Sequence, residues 1–287
     1  MSNTPFDLEN QDAYLRWRDQ KLAAAPRRIE DIMVEVQDPR ALIEHERLAL
    51  LDRCRIANFA IYVGPDLGED RSVPRLLGAQ LGLVRMDHNP GADEDDLTAL
   101  RVLSGGHRQS DFIPYTDRPL HWHTDGYYNP PEREIRALLL HCVRPASLGG
   151  SNACIDHEMA YLLLREESPE YVRVLSAPDA MTIPAYFQGG QEVRPKVAGP
   201  VFSVTTEGHL HMRYTARAKN IVWREDCAEA IATLKKILEI TSYVLRATLS
   251  AGQGLVGNNF LHDRSGFTDD LASPRLIYRA RYYDRVI

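Results

Sequence analysis

Two histidines and one carboxylate in this chain have the residue types and the spacing of ligands to a metal ion. His123 and Asp125 stand two positions apart, and His262 follows far downstream. A set of two imidazoles and one carboxylate, without a cysteine, suits a redox-active ferrous ion that keeps open coordination positions. Arg275 and Arg279 follow His262, and guanidinium groups suit a dicarboxylate co-substrate. These residues indicate metal-dependent chemistry in which an acidic small molecule takes part.

The spacing of the first two ligands fits the end of a β-strand. Side chains two positions apart in a strand face the same side, so His121, His123 and Asp125 would point together. If the strand persists only to about Asp125, its last inward side chains emerge where a metal can sit, and His262 completes a three-ligand face. His121 is one ligand too many for such a site, so we expect it to support a ligand or to pack in the core.

The bulk composition is that of an ordinary globular protein. The chain has 287 residues, of which 44% are hydrophobic and 26% are charged, and its formal net charge is -6. An acidic chain is a poor match to nucleic acid, so we expect no nucleic-acid partner. The sequence has no apolar run of bilayer length, we expect no secretory signal, and the four cysteines are scattered. We therefore expect a cytoplasmic location and reduced thiols.

The distribution of apolar residues predicts one domain over 1–287, mainly β with helical additions. Residues 1–100 are predicted to be largely helical and to contain the first core strand. Residues 101–287 alternate short apolar runs with Gly, Pro and Asn, which is typical of a jelly-roll or barrel-like sheet core. One long helix is predicted at about 225–249, because its apolar positions, Leu245 among them, recur with a helical period.

The predicted elements follow from local patterns of apolar and turn residues. Helices are expected at 41–54 and 72–82, and strands at 57–63, 138–143, 201–204, 209–214 and 276–282. A locally basic, helix-prone stretch spans residues 8–30 and contains Arg16, Arg18, Lys21, Arg27 and Arg28. Its two interpretations are a solvated helix face and a patch for an anionic partner, such as a membrane surface or lipid headgroups.

Four segments resemble motifs of one enzyme family. The segment 122–125 (WHTD) resembles the first ligand motif of taurine dioxygenase and its relatives, and 262–267 (HDRSGF) is similar to the HxRxxF motif of the clavaminate synthase-like branch. Segment 275–279 (RLIYR) resembles the RxxxR ending that both share, and 148–152 (LGGSN) resembles a Gly-Gly-Asp-Thr turn. The motifs run from about residue 120 to 282 in the expected order, so the chain is identified as a member of the Fe(II)/2-oxoglutarate dioxygenases.

This resemblance implies a double-stranded β-helix, which is a jelly-roll or cupin-like fold, and a requirement for Fe(II), 2-oxoglutarate and O₂, with ascorbate in support. By motif position, His123, Asp125 and His262 bind iron, and Arg275 holds the distal carboxylate of 2-oxoglutarate. Asn152 stands where the family often has a threonine that helps to hold the same carboxylate, and its amide can donate a hydrogen bond there.

The resemblance also implies the reaction, which is hydroxylation of an unactivated C–H with release of succinate and CO₂. Related halogenases lack the ligand carboxylate, so the presence of Asp125 favours hydroxylation, desaturation or cleavage. Tyr127 and Tyr128 follow the first motif and are candidates to line the substrate pocket, with packing as the alternative. Arg213 and Arg279 are candidate cations for a small anionic or zwitterionic substrate, and for Arg279 a buried ion pair is the alternative.

The particular substrate is less well defined by the sequence. Segments 213–217 and 278–283 are similar to enzymes that hydroxylate the sugar acid Kdo of lipopolysaccharide, so a sugar acid is one candidate. The role of Arg264 stays open, and relatives suggest a homo-oligomer.

Two other classes of protein remain as alternatives. The segment 121–125 contains HxHxD, which zinc metallohydrolases of the metallo-β-lactamase type extend with a further histidine, whereas this chain has Gly126. The second alternative is a non-catalytic binding protein that keeps the jelly roll. It would form no succinate with any substrate.

Overall fold

The computed structural model describes residues 4–88, 92–103, 112–217, 219–270 and 272–286. Its α-helices are α1 (Gln11–Ala24), α2 (Glu44–Ala57), α3 (Ser72–Gln80), α4 (His157–Glu167), α5 (Pro169–Leu175) and α6 (Ala228–Ile240). Short 3-10 helices lie at Ile29–Ile32, Ile113–Tyr115, Pro131–Arg133 and Glu225–Cys227. Within the described ranges, no helix has both the length and the apolar character needed to cross a bilayer.

The strands outnumber the helices, so the predicted mainly β class with helical additions is confirmed. They are β1 (Met33–Glu35), β2 (Phe59–Val63), β3 (Thr98–Leu100), β4 (Leu120–His123), β5 (Ala137–Arg144), β6 (Leu148–Gly149), β7 (Asn152–Ile155), β8 (Met181–Ile183), β9 (Tyr186–Gln188), β10 (Gln191–Arg194), β11 (Val197–Gly199), β12 (Phe202–Val204), β13 (Leu210–Met212), β14 (Val222–Trp223), β15 (Leu245–Ala247), β16 (Gln253–Gly257), β17 (Leu261–Arg264), β18 (Phe267–Thr268) and β19 (Leu276–Tyr282).

Two sheets organise the fold. The larger has the order β1-β2-β16-β5-β19-β3 and is antiparallel except for the parallel pair β1 and β2. The smaller has the order β15-β7-β17-β4 and is antiparallel throughout. Apolar side chains of both sheets share one core cluster, in which the Phe59 and Phe260 rings stack with centroids 4.6 Å apart. The smaller sheet carries both candidate histidine ligands, because β4 ends at His123 and β17 contains His262.

The N-terminal hundred residues contribute three strands to the larger sheet rather than the one that the sequence predicts. Strands β1 and β3 have three residues each, which is too short for apolar alternation to reveal them. The central strand β5 is mostly apolar and is buried along nearly its whole length, as expected for a strand covered on both faces.

The long helix predicted at 225–249 is wrong in its extent. Helix α6 ends at Ile240, and Leu245 lies in β15, where it pairs with Cys154 of β7. Leu245 falls by chance on the apolar phase of the preceding helix. Periodicity alone cannot separate a short buried strand from a continued helix.

The basic stretch is not a free cationic patch. Lys21 is buried and forms ion pairs with Asp156 and Glu158, and Arg18 contacts Glu166. Two further cations also have partners in the chain, Arg28 with Asp31 and Arg27 with the Tyr243 ring. The interpretation as a membrane or lipid-headgroup surface therefore loses its basis, because most of these charges are neutralised or stacked within the molecule. The other interpretation, a fully solvated helix face, is also wrong at Lys21, because this side chain is buried.

Candidate active site

The three predicted metal ligands converge at the end of β4. The antiparallel pairing of β17 with β4 places His262 directly opposite His123, and Asp125 follows two residues after His123. Each residue is buried, and their ligand atoms lie within 4.8 Å of one another. Nε2 of His123 is 3.5 Å from Oδ1 of Asp125, and Nε2 of His262 is 4.0 Å from the same oxygen. One small volume is thus surrounded by two imidazoles and a carboxylate.

Hydrogen bonds fix the same tautomer in both histidines. Nδ1 of His123 donates to the carbonyl oxygen of His121 at 2.9 Å, and Nδ1 of His262 donates to that of Phe260 at 3.1 Å. Burial lowers the pKa of His262 to about 3, so this imidazole is neutral at pH 7. With Nδ1 protonated, Nε2 carries the lone pair that a metal can accept. Both lone pairs face the Asp125 carboxylate.

The backbone of Asp125 is held by Asn259, a residue to which the sequence assigned no role. The Asn259 side chain accepts from the Asp125 N–H at 2.7 Å and donates to the carbonyl oxygens of Asp125 at 3.0 Å and Ile135 at 2.6 Å. Asn259 itself adopts a left-handed conformation with φ 51°, which asparagine tolerates better than most residues. It therefore positions the carboxylate ligand through two hydrogen bonds to the Asp125 backbone, while the third ties Asn259 to Ile135.

The threonine of the first motif also has a structural partner. Oγ1 of Thr124 accepts from the Tyr214 N–H at 3.0 Å, and the Thr124 N–H donates to the Tyr214 carbonyl at 3.0 Å. Thr215 forms an isolated antiparallel bridge with His123. The segment after β13 therefore runs alongside the metal-ligand motif.

The Asp125 carboxylate is ionised and paired with Arg279. Burial opposes ionisation, but the charge of Arg279 holds the pKa of Asp125 well below its usual value. Nη1 of Arg279 lies 3.3 Å from Oδ2 of Asp125, while that oxygen has no hydrogen-bond partner among the described residues. The ion pair proposed as the alternative for Arg279 is present, and its acidic partner is the candidate ligand itself.

Arg275 is a buried cation without a hydrogen-bonded anion. It is 6% exposed, its guanidinium lies over the Phe267 ring at 5.0 Å, and its Nη1 has no partner within the described part of the chain. Asp269 is near enough to interact by charge, but it accepts only the Arg275 backbone N–H. Burying an unpaired guanidinium is costly, so the site is complementary to a carboxylate that the protein does not supply.

The Gly-Gly turn before β7 leaves room beside this guanidinium. Gly149 has φ 80°, and a Cβ there would lie 2.4 Å from the Gly266 carbonyl oxygen. A Cβ on Gly150 would lie 3.6 Å from Nε of Arg275. Asn152 follows the turn, and its amide donates to the Asp263 carbonyl at 2.9 Å. One hydrogen of the Asn152 side-chain amide is therefore used within the fold. The predicted contact of Asn152 with 2-oxoglutarate depends on the second hydrogen of the same amide.

Most donors of Arg213, which the sequence predicts to bind substrate, are used by main-chain carbonyls. Its guanidinium donates to the carbonyl oxygens of Tyr127 at 2.7 Å, Met181 at 2.9 Å and Val197 at 3.2 Å, with a further contact to Gly199. It therefore ties strands β8 and β11 to the chain that follows the metal motif. Sequence alone gives no sign of this role, because its partners are main-chain carbonyls from distant segments.

Arg264 has a comparable bracing role. Its guanidinium donates to the carbonyl oxygens of Thr116 at 2.8 Å and Arg118 at 2.5 Å, and burial lowers its pKa to about 10. It thereby holds the segment before β4 in place, and its role in the second motif is structural.

The exposed side chain of His121 removes it from the candidate metal site. Although it stands two residues before His123, His121 does not belong to the described ligand cluster, and only its carbonyl supports His123. The expectation that its side chain packs in the core is wrong, since β4 is an edge strand of its sheet. This geometry also weakens the zinc metallohydrolase alternative, which needs the first histidine of HxHxD as a ligand.

Tyr127 and Tyr128 lie just beyond Asp125 and are half-buried. Their rings meet edge to face with centroids 5.2 Å apart. The Tyr128 hydroxyl accepts from Nη1 of Arg281 at 2.8 Å, and the Tyr127 hydroxyl accepts from Nη1 of Arg217 at 3.2 Å. Arg281 is also paired with the buried Asp87. The structure thus adds two arginines, which the sequence did not select, to the surroundings of the predicted pocket tyrosines.

A cavity of about 220 Å³ lies beside the metal motif, and Tyr127 is among the residues that line it. It is lined by Asp125, Gly126, Glu134, Ile135 and Arg213 among others, but by neither candidate histidine ligand. We therefore do not assign the reaction to this cavity, because only one of the three ligands borders it.

The fold and the site together define an iron-dependent oxygenase, and the chain belongs to the taurine catabolism dioxygenase TauD, TfdA family, whose model matches residues 35–281. It is 30% identical over 196 residues to a uridine-5'-phosphate dioxygenase from Streptomyces sp, covering 66% of this chain and 69% of that protein. It is also 30% identical over 169 residues to a uridine-5'-phosphate dioxygenase from Amycolatopsis sp, covering 56% of this chain and 60% of that one.

Solved structures share the fold at low sequence identity. The asparagine oxygenase complex with Fe(II), 2S,3S-3-hydroxyasparagine and succinate has a TM-score of 0.57 at 15% identity, covering 88% of this chain and 93% of its own. AAD-2 in complex with Mn(II) and N-oxalylglycine has a TM-score of 0.62 at 13% identity, and the match covers 89% of this chain and 95% of the AAD-2 chain. OrfP in complex with Fe and alpha-ketoglutaric acid has a TM-score of 0.58 at 17% identity, covering 84% and 80%.

These findings confirm the predicted family, enzyme class and cofactors. The protein is an Fe(II)- and 2-oxoglutarate-dependent dioxygenase that acts with O₂ on a small molecule. The predicted sugar acid Kdo finds no support, because the curated relatives are named for uridine-5'-phosphate.

Proposed function

We propose that this dioxygenase binds Fe(II) through His123, Asp125 and His262, seats 2-oxoglutarate on Arg275, and hydroxylates a C–H of a small phosphorylated substrate. The observation that carries the proposal is the convergence of three metal-binding atoms within 4.8 Å, in a fold that also buries the Arg275 guanidinium without a hydrogen-bonded anion among the described residues. The two sheets packed on one core support the finer description of the fold as a double-stranded β-helix.

The donor set fits the proposed metal. Two imidazoles with their Nε2 lone pairs directed inward and one ionised carboxylate suit Fe(II), and three protein ligands leave positions for the co-substrate and O₂. With 2-oxoglutarate bound, iron held by these residues would activate O₂, so that one oxygen atom enters succinate as CO₂ is lost and the other enters the hydroxylated substrate.

The chain's own groups position and balance these charges. Asn259 fixes the backbone of Asp125, and Arg279 keeps its carboxylate ionised. Arg275 offers a planar fork to the distal carboxylate of 2-oxoglutarate, for which a lysine point charge would be a poorer partner. Each of these groups acts before any oxidation begins, by fixing where the ligand and the co-substrate sit.

A nucleoside 5'-phosphate is the substrate class that we favour, with uridine-5'-phosphate as its first member to test. Support comes from two curated relatives named for this substrate at 30% identity. Arg217, which contacts Tyr127 and has no ion-pair partner among the described residues, supplies positive charge that a phosphate ester requires. The homo-oligomer suggested by relatives stays a prediction.

The test is substrate-stimulated release of succinate with Fe(II), 2-oxoglutarate, O₂ and ascorbate. We expect uridine-5'-phosphate to stimulate release well above the level seen with uridine or with no substrate. His123→Ala and Asp125→Ala should abolish the stimulated release, whereas His121→Ala is a matched control because its side chain is exposed. Unchanged turnover in either ligand variant would rule out the metal site, and lack of stimulation would rule out uridine-5'-phosphate as substrate.

A further inference from the structure

Two arginines and two tyrosines form a cluster beside the metal motif. This arginine–tyrosine cluster consists of Arg194, Arg217, Tyr127 and Tyr128. Nη1 of Arg217 donates to the Tyr127 hydroxyl at 3.2 Å, and the guanidinium of Arg194 lies 5.7 Å from the centre of the Tyr128 ring. The two tyrosine rings touch edge to face. The contacts link arginines that stand on separate segments, one at the end of β10 and one after β13.

The cluster adjoins the site of chemistry. Tyr127 and Tyr128 follow Asp125 by two and three residues in the chain. Arg217 stands two residues after Thr215, which bridges to His123, and the intervening Ala216 N–H donates to the Trp122 carbonyl at 2.8 Å. The cluster is therefore anchored to both sides of the WHTD motif, and its four members are only partly buried, so a ligand can reach them from solvent.

The positive charge of the cluster is not balanced by the protein. Among the described residues, neither Arg194 nor Arg217 lies within ion-pair distance of a carboxylate, and Nε of Arg194 is buried without a hydrogen-bond partner. One hydrogen bond of Arg194 goes to the Pro184 carbonyl at 3.0 Å. Burial and the charge of Arg217 both lower the pKa of Arg194. Bringing two guanidinium groups together in a partly buried place is unfavourable unless an anion joins them.

We propose that Arg194 and Arg217 bind the phosphate group of the substrate, and that Tyr127 and Tyr128 line the same subsite. This inference rests on the proposed function. Two guanidinium groups match the charge of a phosphate monoester, which lies between one and two negative charges at pH 7, and each can present two parallel N–H donors. The tyrosine hydroxyls accept from Arg217 and Arg281, which leaves their O–H groups to donate. The subsite thus presents donors from several directions and holds the phosphorylated end of the substrate next to Asp125.

The test compares Arg194→Gln and Arg217→Gln with a control, Arg28→Gln, because the Arg28 side chain is 74% exposed. Loss of one charge-assisted contact should raise the KM for uridine-5'-phosphate by about 10- to 100-fold. The KM for 2-oxoglutarate should stay unchanged, and Arg28→Gln should alter neither value. Calorimetric binding of uridine-5'-phosphate, uridine and glycerol phosphate to the Fe(II) and 2-oxoglutarate complex without O₂ gives a second readout that is independent of turnover.

The outcomes separate the subsite from the proposed substrate. Binding of both phosphate esters but not uridine to the wild-type protein, with weaker binding by the two variants, supports the subsite even if uridine-5'-phosphate is not turned over. Turnover of uridine-5'-phosphate with an unchanged KM in both variants would overturn the subsite while the proposed function stands. Equal binding of uridine and its phosphate would also overturn it.

Discussion

Replacing Arg275 by glutamine should weaken the use of 2-oxoglutarate without weakening the fold. The Arg275 guanidinium is buried, and its side chain makes no hydrogen bond to the described residues. The free-energy cost of burying this cation is therefore offset only slightly by contacts within the protein. If Arg275 binds the distal carboxylate of 2-oxoglutarate, Arg275→Gln removes the positive charge that faces this carboxylate. The substitution leaves the hydrogen bonds of the fold unchanged.

The size of the effect follows from the contacts that would be lost. A bidentate pair comprises two charge-assisted hydrogen bonds, and each contributes about 1.5 to 3 kcal/mol. Their loss should raise the KM for 2-oxoglutarate by about 100- to 10,000-fold. Arg275→Lys keeps the charge but loses the planar fork, so its increase should be smaller, about 10-fold.

The assay measures succinate release over a range of 2-oxoglutarate concentrations, together with urea unfolding of each variant without co-substrate. Arg264→Gln is the matched control, because that buried arginine donates to the carbonyls of Thr116 and Arg118. It should lose about 2 to 4 kcal/mol of unfolding free energy through unsatisfied carbonyls and lost packing. An unchanged KM in Arg275→Gln, or a loss of stability equal to that of the control, would refute the reasoning.

Two further predictions address groups that the sequence did not select. Asn259→Ala should weaken Fe(II) binding by about 10- to 100-fold, because the backbone of Asp125 loses its clamp, and anaerobic Fe(II) titration measures this; unaltered affinity would show that the clamp has no such role. Lys21→Met leaves Asp156 and Glu158 without their buried cation and should cost about 3 to 5 kcal/mol in urea unfolding at pH 7. Although burial raises the pKa of Asp156, Lys21 keeps it below 3.8, so the wild-type protein retains this contribution above that pH and loses it as the pH falls further. The deficit of the variant relative to the wild-type protein should therefore shrink as the pH falls through the pKa of Asp156, because the wild-type protein then loses a contribution that the variant already lacks. An identical acid limb in both proteins would contradict the assignment.

The convergence of the candidate ligands can be predicted from sequence because short motifs encode it. The pattern around His123 and Asp125 marks a strand end, and His262 begins a second motif that pairs with it. The central strands are also predictable, since runs such as β5 are mostly apolar. The end of α6 cannot be predicted in this way. Leu245 continues the helical spacing of the apolar residues but lies in a strand.

The roles of individual arginines are harder to predict, because a guanidinium can serve an anion or the main chain. Arg213 and Arg264 stand in motif-like segments, yet their donors are used by carbonyl oxygens from distant parts of the fold. Arg275 is also a buried arginine in a motif-like segment, but its Nη1 has no hydrogen-bond partner in the described structure. Only the arrangement of the surrounding backbone in space distinguishes these cases.

The most direct test of the central claim is the visible spectrum of the protein after anaerobic addition of Fe(II) and 2-oxoglutarate. We expect the wild-type protein to develop a weak metal-to-ligand charge-transfer band, since iron held by His123, Asp125 and His262 would be chelated by the 2-oxo acid. We expect the band to disappear in His262→Ala and to persist in His121→Ala, because the His121 side chain is exposed. A band of full intensity in His262→Ala, or none in the wild-type protein, would contradict a metal centre built from these three residues.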